Sequence, residues 1–277
     1  SENVCLVGRA QAVEAVNANG IEISGIKGDM RVKVLATEAI PDKQDLVIFA
    51  TKTQDLVSAF EQFRPQIQDA IVLTTQNGVQ ADSIAVNFFP KDSVFSSIVM
   101  FGATSLSPGN VVYNFNGSWI LGSMFGNSVQ KLDEVEQVLS KAFDIVMTPN
   151  LRGMKYLKIF VNANNCIPAI LGMSMQEAFS DLRISALSVA IWKEGLAVTQ
   201  HSQINLVSLP DFDVNRVYGL TTMPSVEAAK IISKIMTSLS NEPVYGSILQ
   251  SIKRGKPSEI DFINGEFVSL AKAAQTQ

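Results

Sequence analysis

The chain has 277 residues, of which 47% are apolar and only 17% charged, with a formal net charge of −4. That much apolar material can fill the cores of two modest domains. With no basic run denser than Lys253–Lys256, the chain lacks the electrostatic footprint of a nucleic-acid-binding protein.

Two distant cysteines, Cys5 and Cys166, with no CxxC, and a single histidine, His201, supply no zinc ligand set. The cysteines are expected to be free thiols in a reducing compartment. Apolar runs such as Leu46–Ala50 and Ser96–Phe101 fall far short of the roughly 20 residues that span a bilayer. The opening SENVCLVGR has no basic segment followed by an apolar one. No membrane helix and no secretion signal are expected, and the expected location is cytoplasmic. His201 sits among Gln200, Ser202 and Gln203, the setting of a surface turn and not of the base of a Ser-His-Asp hydrolase.

Up to about Pro149, short β-branched runs alternate with helical patches. Val4–Val7, Leu46–Ala50, Ile71–Thr75, Val94–Met100, Val111–Phe115 and Ile145–Thr148 read as strands, and Gln54–Phe63 and Val129–Ala142 carry helical spacing. The first three strands are expected to run parallel in one sheet. From Met154 onward the periodicity is almost wholly helical, over Met154–Leu171, Met175–His201, Ser225–Leu239 and Ile260–Ala274. The predicted fold class is α/β: a Rossmann-type, mostly parallel sheet over residues 1–149, followed by an all-helical domain over residues 150–277.

In open α/β sheets ligands bind beyond the carboxyl ends of the strands. Three predicted strands end in Gly8-Arg9, Thr51-Lys52-Thr53 and Gln76-Asn77-Gly78. Each can be an ordinary turn or a solvated charge. An Arg at the end of the second strand of a dinucleotide-binding unit has a specific use. It offers a planar fork to the 2′-phosphate of NADP, where an acidic residue would hold the ribose of NAD.

At the start of the helical half, Lys158 and Asn162 are four apart and share one helical face. Such a pair is common on solvated helices. Its neighbours Leu157, Ile159, Phe160 and Val161 are apolar, and in a buried setting a lysine pKa falls and proton donation becomes easier.

Further on, Tyr245–Phe267 collects Ser247, Glu259, Asp261 and Asn264. The local pattern predicts two short helices joined by a Gly255–Pro257 turn, with Ser258 as an N-cap and Ile260, Ile263 and Phe267 on one buried face. Glu259 then falls in the first turn, where a lone Glu can serve simply to complement the helix dipole.

The run Ser247-Ile-Leu-Gln250-Ser-Ile252, Lys253–Pro257, Ser258-Glu259-Ile260-Asp261-Phe-Ile-Asn264-Gly265 closely resembles the C-terminal signature of ketopantoate reductases (2-dehydropantoate 2-reductases). That signature reads Ser-x-Leu-Gln-Asp-Ile, a basic turn, then Thr-Glu-Ile-Asp-x-x-Asn-Gly. Tyr156-Leu-Lys158-Ile159-Phe-Val-Asn162 fits the family's aromatic-x-Lys-Leu-x-x-Asn, and Val7-Gly8-Arg9 matches its second strand.

The resemblance implies NADPH-dependent reduction of 2-dehydropantoate to pantoate, serving pantothenate and coenzyme A synthesis. It makes Lys158 the general acid and gives Glu259 the orientation of the reacting oxygen or the substrate hydroxyl. Asn162 and Ser247 become substrate contacts. Arg9 is assigned to the 2′-phosphate, Lys52 to the phosphates and Asn77 to the ribose or nicotinamide end. No metal is implied, and the partner is a small 2-oxoacid. The apolar helical half is compatible with a homodimer.

The sequence departs from the family pattern downstream of Asn162. The family has a second Asn four residues after the first, followed by Pro; here Cys166-Ile167 stands there, with Pro168 one later, and a further substrate-contacting Asn falls near Gln176. Cys166 and Gln176 are therefore further candidate substrate contacts, and they keep open a dehydrogenase of the same fold for another 2-oxoacid. Moreover, no GxGxxG occurs, and the first strand resembles the family's second. The expectation is a piece of a longer chain, without the opening strand and glycine loop and one helix short at the far end. A non-catalytic binding protein with a decayed cofactor site is the alternative from a different class.

Overall fold

The computed structural model describes residues 3–41, 43–67, 69–126 and 129–275. It divides into two compact units, one of residues 1–76 and 81–151 and the other of residues 77–80 and 152–277.

The first unit opens with β1 (Cys5–Val7), α1 (Ala10–Asn19), β2 (Ile21–Gly25), β3 (Met30–Val32), β4 (Leu35–Thr37) and β5 (Leu46–Phe49). It continues with α2 (Leu56–Phe63), β6 (Ile71–Thr74), α3 (Gln80–Ala85), β7 (Val94–Val99), β8 (Gly102–Ser107), β9 (Asn110–Phe115), β10 (Trp119–Gly122), α4 (Val129–Leu139) and β11 (Ile145–Met147). The main sheet has the order β11-β10-β7-β6-β5, with β5, β6 and β7 parallel and β10 antiparallel to β7.

All four residues of β6 are buried, as befits a central strand covered on both faces. Its alternation sends Val72 into a core with Phe49, Leu56, Phe60, Ala81 and Phe89, and Ile71 and Leu73 into another with Phe95, Trp119, Leu121, Leu132 and Val135. Edge-to-face aromatic pairs, Phe49–Phe60 at 4.7 Å and Trp119–Phe143 at 4.9 Å, fill the two cores.

The expectation of one sheet holding Val4–Val7, Leu46–Ala50 and Ile71–Thr75 is corrected. β5 and β6 pair in parallel, but β1 pairs with β4 alone, from Cys5 opposite Leu35 to Val7 opposite Thr37. In a doubly wound order the two halves join through a central strand, and the described residues place none beside both β1 and β5. The small pair is secured from its flank, where the Asn17 side chain of α1 donates to Ala36 O at 2.9 Å and accepts from Ala36 N at 3.0 Å. Residues 111–115 also lie outside the main sheet, in a four-stranded sheet of order β3-β2-β9-β8.

The second unit is helical: α5 (Leu151–Ala163), α6 (Cys166–Leu171), α7 (Met175–Phe179), α8 (Leu182–His201), α9 (Val214–Thr222), α10 (Ser225–Thr237), α11 (Ser247–Lys253) and α12 (Asn264–Ala273). The run expected over Met154–Leu171 is two helices, broken at Asn164-Asn165, and that over Met175–His201 breaks at Ser180-Asp181. Asp181 there caps α8, its carboxylate accepting from Arg183 N.

Much of α5 is buried, including Tyr156, Leu157, Ile159, Phe160 and Ala163. The Phe160 ring packs at a tilt against Phe267 of α12, centroids 5.0 Å apart, and the Phe160 carbonyl accepts from Trp192 Nε1 of α8 at 2.9 Å. Gly195 of α8 faces the Phe267 ring so closely that a Cβ there would stand 2.7 Å from it. Two other expectations are corrected at α12. A 3-10 turn occupies Ile260–Phe262, and Ile263 at φ −113°, ψ −85° interrupts the backbone, so the α-helix starts only at Asn264. Ser258 is not its N-cap, and Glu259 stands at the position preceding the 3-10 turn, with no side-chain capping bond, instead of lying in an α-helix's first turn.

Candidate active site

In the first unit the two cationic candidates stand at the carboxyl ends of parallel strands. Arg9 follows β1 in extended conformation as N-cap of α1, its side chain exposed and its carbonyl accepting from Ala12 N and Val13 N. Lys52 follows β5, half-buried, and opens the 3-10 turn Thr53–Asp55. The backbone before it is held by Gln76, 5% exposed, whose amide donates to Phe49 O at 2.7 Å and to Thr51 O at 2.8 Å. A planar guanidinium fork and a compact ammonium are each donors of a kind that suits the phosphates of a dinucleotide; their two strands belong to separate sheets.

In the second unit, α5 carries Lys158 and Asn162 one turn apart on one face. Asn162 Nδ2 donates to Asn77 Oδ1 at 3.2 Å, which brings Asn77, three residues beyond the end of β6, against that face. Lys158 is half-buried in a densely packed stretch of α5, and desolvation lowers its pKa to about 8.

Asn264 Nδ2, from α12, donates to Ala163 O at 3.1 Å and lies 3.5 Å from Cys166 Sγ. Burial pushes the Cys166 thiol up, and the contact with Asn264 opposes that shift. Cys166 also packs, with Ile260, against Ala169, Ile248 and Leu249. That small apolar cluster ties α6 and α11 to the residue after Glu259.

Ser247 starts α11 with its side chain exposed, and the preceding Gly246 lies against Asn165, where an added Cβ would stand 3.2 Å from the Asn165 amide. Lys158, Asn162, Asn77, Cys166 and the Glu259 segment thus share one helical unit.

Gln176 has a different setting. Its amide donates to Ser240 O and Glu242 O at 3.1 and 2.8 Å and accepts from Val244 N at 2.9 Å, so it straps the loop before α11.

Sequence reasoning took Gln76 only as part of a strand end, and it passed over Glu266. Glu266 is only 6% exposed and accepts from Tyr156 and Gln80. Its signal was a carboxylate set between Ile263 and Phe267 on the buried stripe of α12. No group of three His, Cys, Asp or Glu able to hold a metal occurs among the described residues, and no helix there is long and apolar enough to cross a membrane.

Comparison with known proteins agrees along the whole chain. Residues 1–126 match the family described as Ketopantoate reductase PanE/ApbA, and residues 150–277 match its C-terminal part. A 2-dehydropantoate 2-reductase of Pyrococcus horikoshii is 29% identical over 274 residues, covering 98% of this chain and 83% of its own length. Among solved structures, a PanE/ApbA family ketopantoate reductase from Ralstonia eutropha superposes with a TM-score of 0.82 at 23% identity, covering 100% of this chain and 86% of the other. D-mandelate dehydrogenase in a ternary structure with NADH and anilino(oxo)acetate gives a TM-score of 0.82 at 21% identity, with the same coverage.

Proposed function

The chain belongs to the ketopantoate reductase PanE/ApbA family, and on that footing we propose that it reduces 2-dehydropantoate to pantoate with NADPH, serving pantothenate and coenzyme A synthesis. The observation that carries this reading is the polar face of α5, where Lys158 stands one turn from Asn162 and Asn162 meets Asn77. The name of the Pyrococcus relative supports the substrate.

Arg9 and Lys52 hold the dinucleotide by its phosphates, Arg9 taking the 2′-phosphate, and Asn77 serves its ribose or nicotinamide end. When bound, the nicotinamide supplies a hydride to the carbonyl carbon. The protein's own residues handle the charge and the proton. As the carbonyl oxygen gains negative charge, the Lys158 ammonium stabilises it and releases its proton to it. With a pKa near 8, Lys158 is mostly protonated at neutral pH yet gives up its proton more readily than an ordinary lysine. Glu259 orients the reacting oxygen or the substrate hydroxyl, and Asn162, Ser247 and Cys166 hold the substrate's remaining polar groups. Residues 1–149 act as the dinucleotide-binding domain and residues 150–277 as the substrate and dimerisation domain.

One observation favours a second reading, a dehydrogenase for another 2-oxoacid: a thiol, Cys166, stands beside Asn264 where the family pattern has an amide. Turnover of a panel of 2-oxoacids with NADPH and with NADH tests both. Under the first reading 2-dehydropantoate has the highest kcat/KM and NADPH is preferred. A different 2-oxoacid at the head of the panel replaces it with the second, and a chain that binds the cofactor but reduces nothing sinks both.

A further inference from the structure

Four residues that follow β6, Asn77 to Gln80, belong to the helical unit and are fastened there at three points. Asn77 Oδ1 accepts from Asn162 Nδ2 of α5 at 3.2 Å. Gly78, at φ +83°, approaches the Phe262 carbonyl so closely that an added Cβ would stand 2.3 Å from the oxygen. Gln80 Nε2 donates at 3.0 Å to Glu266 Oε2 of α12, and Glu266 Oε1 accepts at 3.1 Å from the Tyr156 hydroxyl of α5.

Glu266 is buried beside Phe267. A carboxylate in such a place is costly unless hydrogen-bonded. Two donors satisfy it, one from Gln80 at the start of α3 and one from α5, and removing either leaves a buried acceptor short of a partner. Burial foremost, and the Glu266 charge next, raise the Tyr156 pKa to about 12, so its hydroxyl remains a donor throughout the neutral range. Gln80 lies three residues after Asn77, and Tyr156 lies two before Lys158. Glu266 therefore joins the loop that carries one candidate site residue to the helix that carries two others.

We propose that Glu266 is a positioning residue: by holding Gln80 and Tyr156 together it sets the 77–80 loop on α5 and presents Asn77 to Asn162 beside Lys158. The kinetic consequence rests on the reductase reading above; the positioning itself does not.

Hydrogen exchange of the purified chain reads the positioning directly. Glu266→Ala and Gln80→Ala each raise amide exchange at residues 77–80 by roughly tenfold, while α8 and α10 exchange as in the parent. Glu266→Gln keeps an acceptor for Tyr156 and offers an amide to a rotated Gln80, and it restores protection to within about threefold. Gln80→Ala leaves the Tyr156–Glu266 pair intact, so it keeps the test available if Glu266→Ala does not fold.

In the 2-oxoacid assay both alanine variants lower kcat/KM by roughly tenfold, and the double variant falls no further than Glu266→Ala alone. Unchanged exchange at 77–80 in folded Gln80→Ala overturns the proposal, and so do losses that multiply in the double variant. A parent chain that reduces no 2-oxoacid, while its loop still loosens in the variants, overturns the function proposed above and supports the positioning role.

Discussion

Cys166 Sγ and Asn264 Nδ2 lie 3.5 Å apart although 98 positions separate them in the chain. The departure from the family's asparagine pattern therefore sits against an asparagine of α12, which also holds the carbonyl of Ala163 at the end of α5. A change at position 166 is felt where the α5–α6 break and α12 meet.

Cys166→Asn is accordingly expected to change substrate choice more than overall rate. An amide in place of a weakly bonding thiol alters which polar groups of a 2-oxoacid find partners. The ratio of kcat/KM between 2-dehydropantoate and a rival 2-oxoacid should shift by roughly 10- to 100-fold. A ratio that does not move removes Cys166 from the substrate contacts.

Lys158→Ala should cut turnover by roughly 10²- to 10⁴-fold, the usual worth of a positioned proton donor, with NADPH affinity nearly unchanged. Turnover and a nicotinamide fluorescence titration check the two halves separately. A fully active Lys158→Ala chain would end the proton-donor assignment.

The pH profile follows from the lysine pKa of about 8. A general acid must be protonated, so kcat/KM is expected to be flat below about 8 and to fall about tenfold per pH unit above it. The linkage to stability has its own sign. The pKa is lowered from 10.5 to about 8, so between those values the folded chain binds fewer protons than the unfolded one, and this lysine's contribution to stability rises with pH. A pH series of urea unfolding, compared with Lys158→Met, isolates that slope.

If Arg9 takes the 2′-phosphate as proposed, Arg9→Ala should weaken NADPH by roughly 10- to 100-fold and NADH much less, because only NADPH carries that group. Equal losses for the two dinucleotides, measured by fluorescence titration, would refute that proposed role.

Gly78→Ala should destabilise the chain by about 2–4 kcal/mol, since it combines a left-handed backbone with a steric conflict. The backbone stands at φ +83°, and a Cβ would come 2.3 Å from the Phe262 carbonyl oxygen. Urea unfolding measures the loss, and an unperturbed midpoint would show that the loop yields freely.

Much of the fold class is legible along the chain. Leu46–Phe49, Ile71–Thr74, Val94–Val99 and Ile145–Met147 become strands because they are short β-branched runs between turn residues, and the helical half shows its period directly. Trp119–Gly122 escapes notice because it holds a single β-branched residue, Ile120, and it becomes a strand by pairing with β7 and β11. The helix expected from Ile260 starts four residues later because Ile263 leaves helical dihedrals, a choice no local propensity announces.

For the site, helical spacing alone puts Lys158 and Asn162 on one face, and the ends of the β-branched runs put Arg9 and Lys52 just beyond strands. Which residues those faces meet is set by long-range packing. Asn77 reaches Asn162 across 85 positions, and Glu266 is bonded by Tyr156 and Gln80 across 110 and 186 positions. A buried carboxylate or amide is tolerable only when its partners arrive with it, and partners so distant are chosen by how helices and loops pack, which no local pattern encodes.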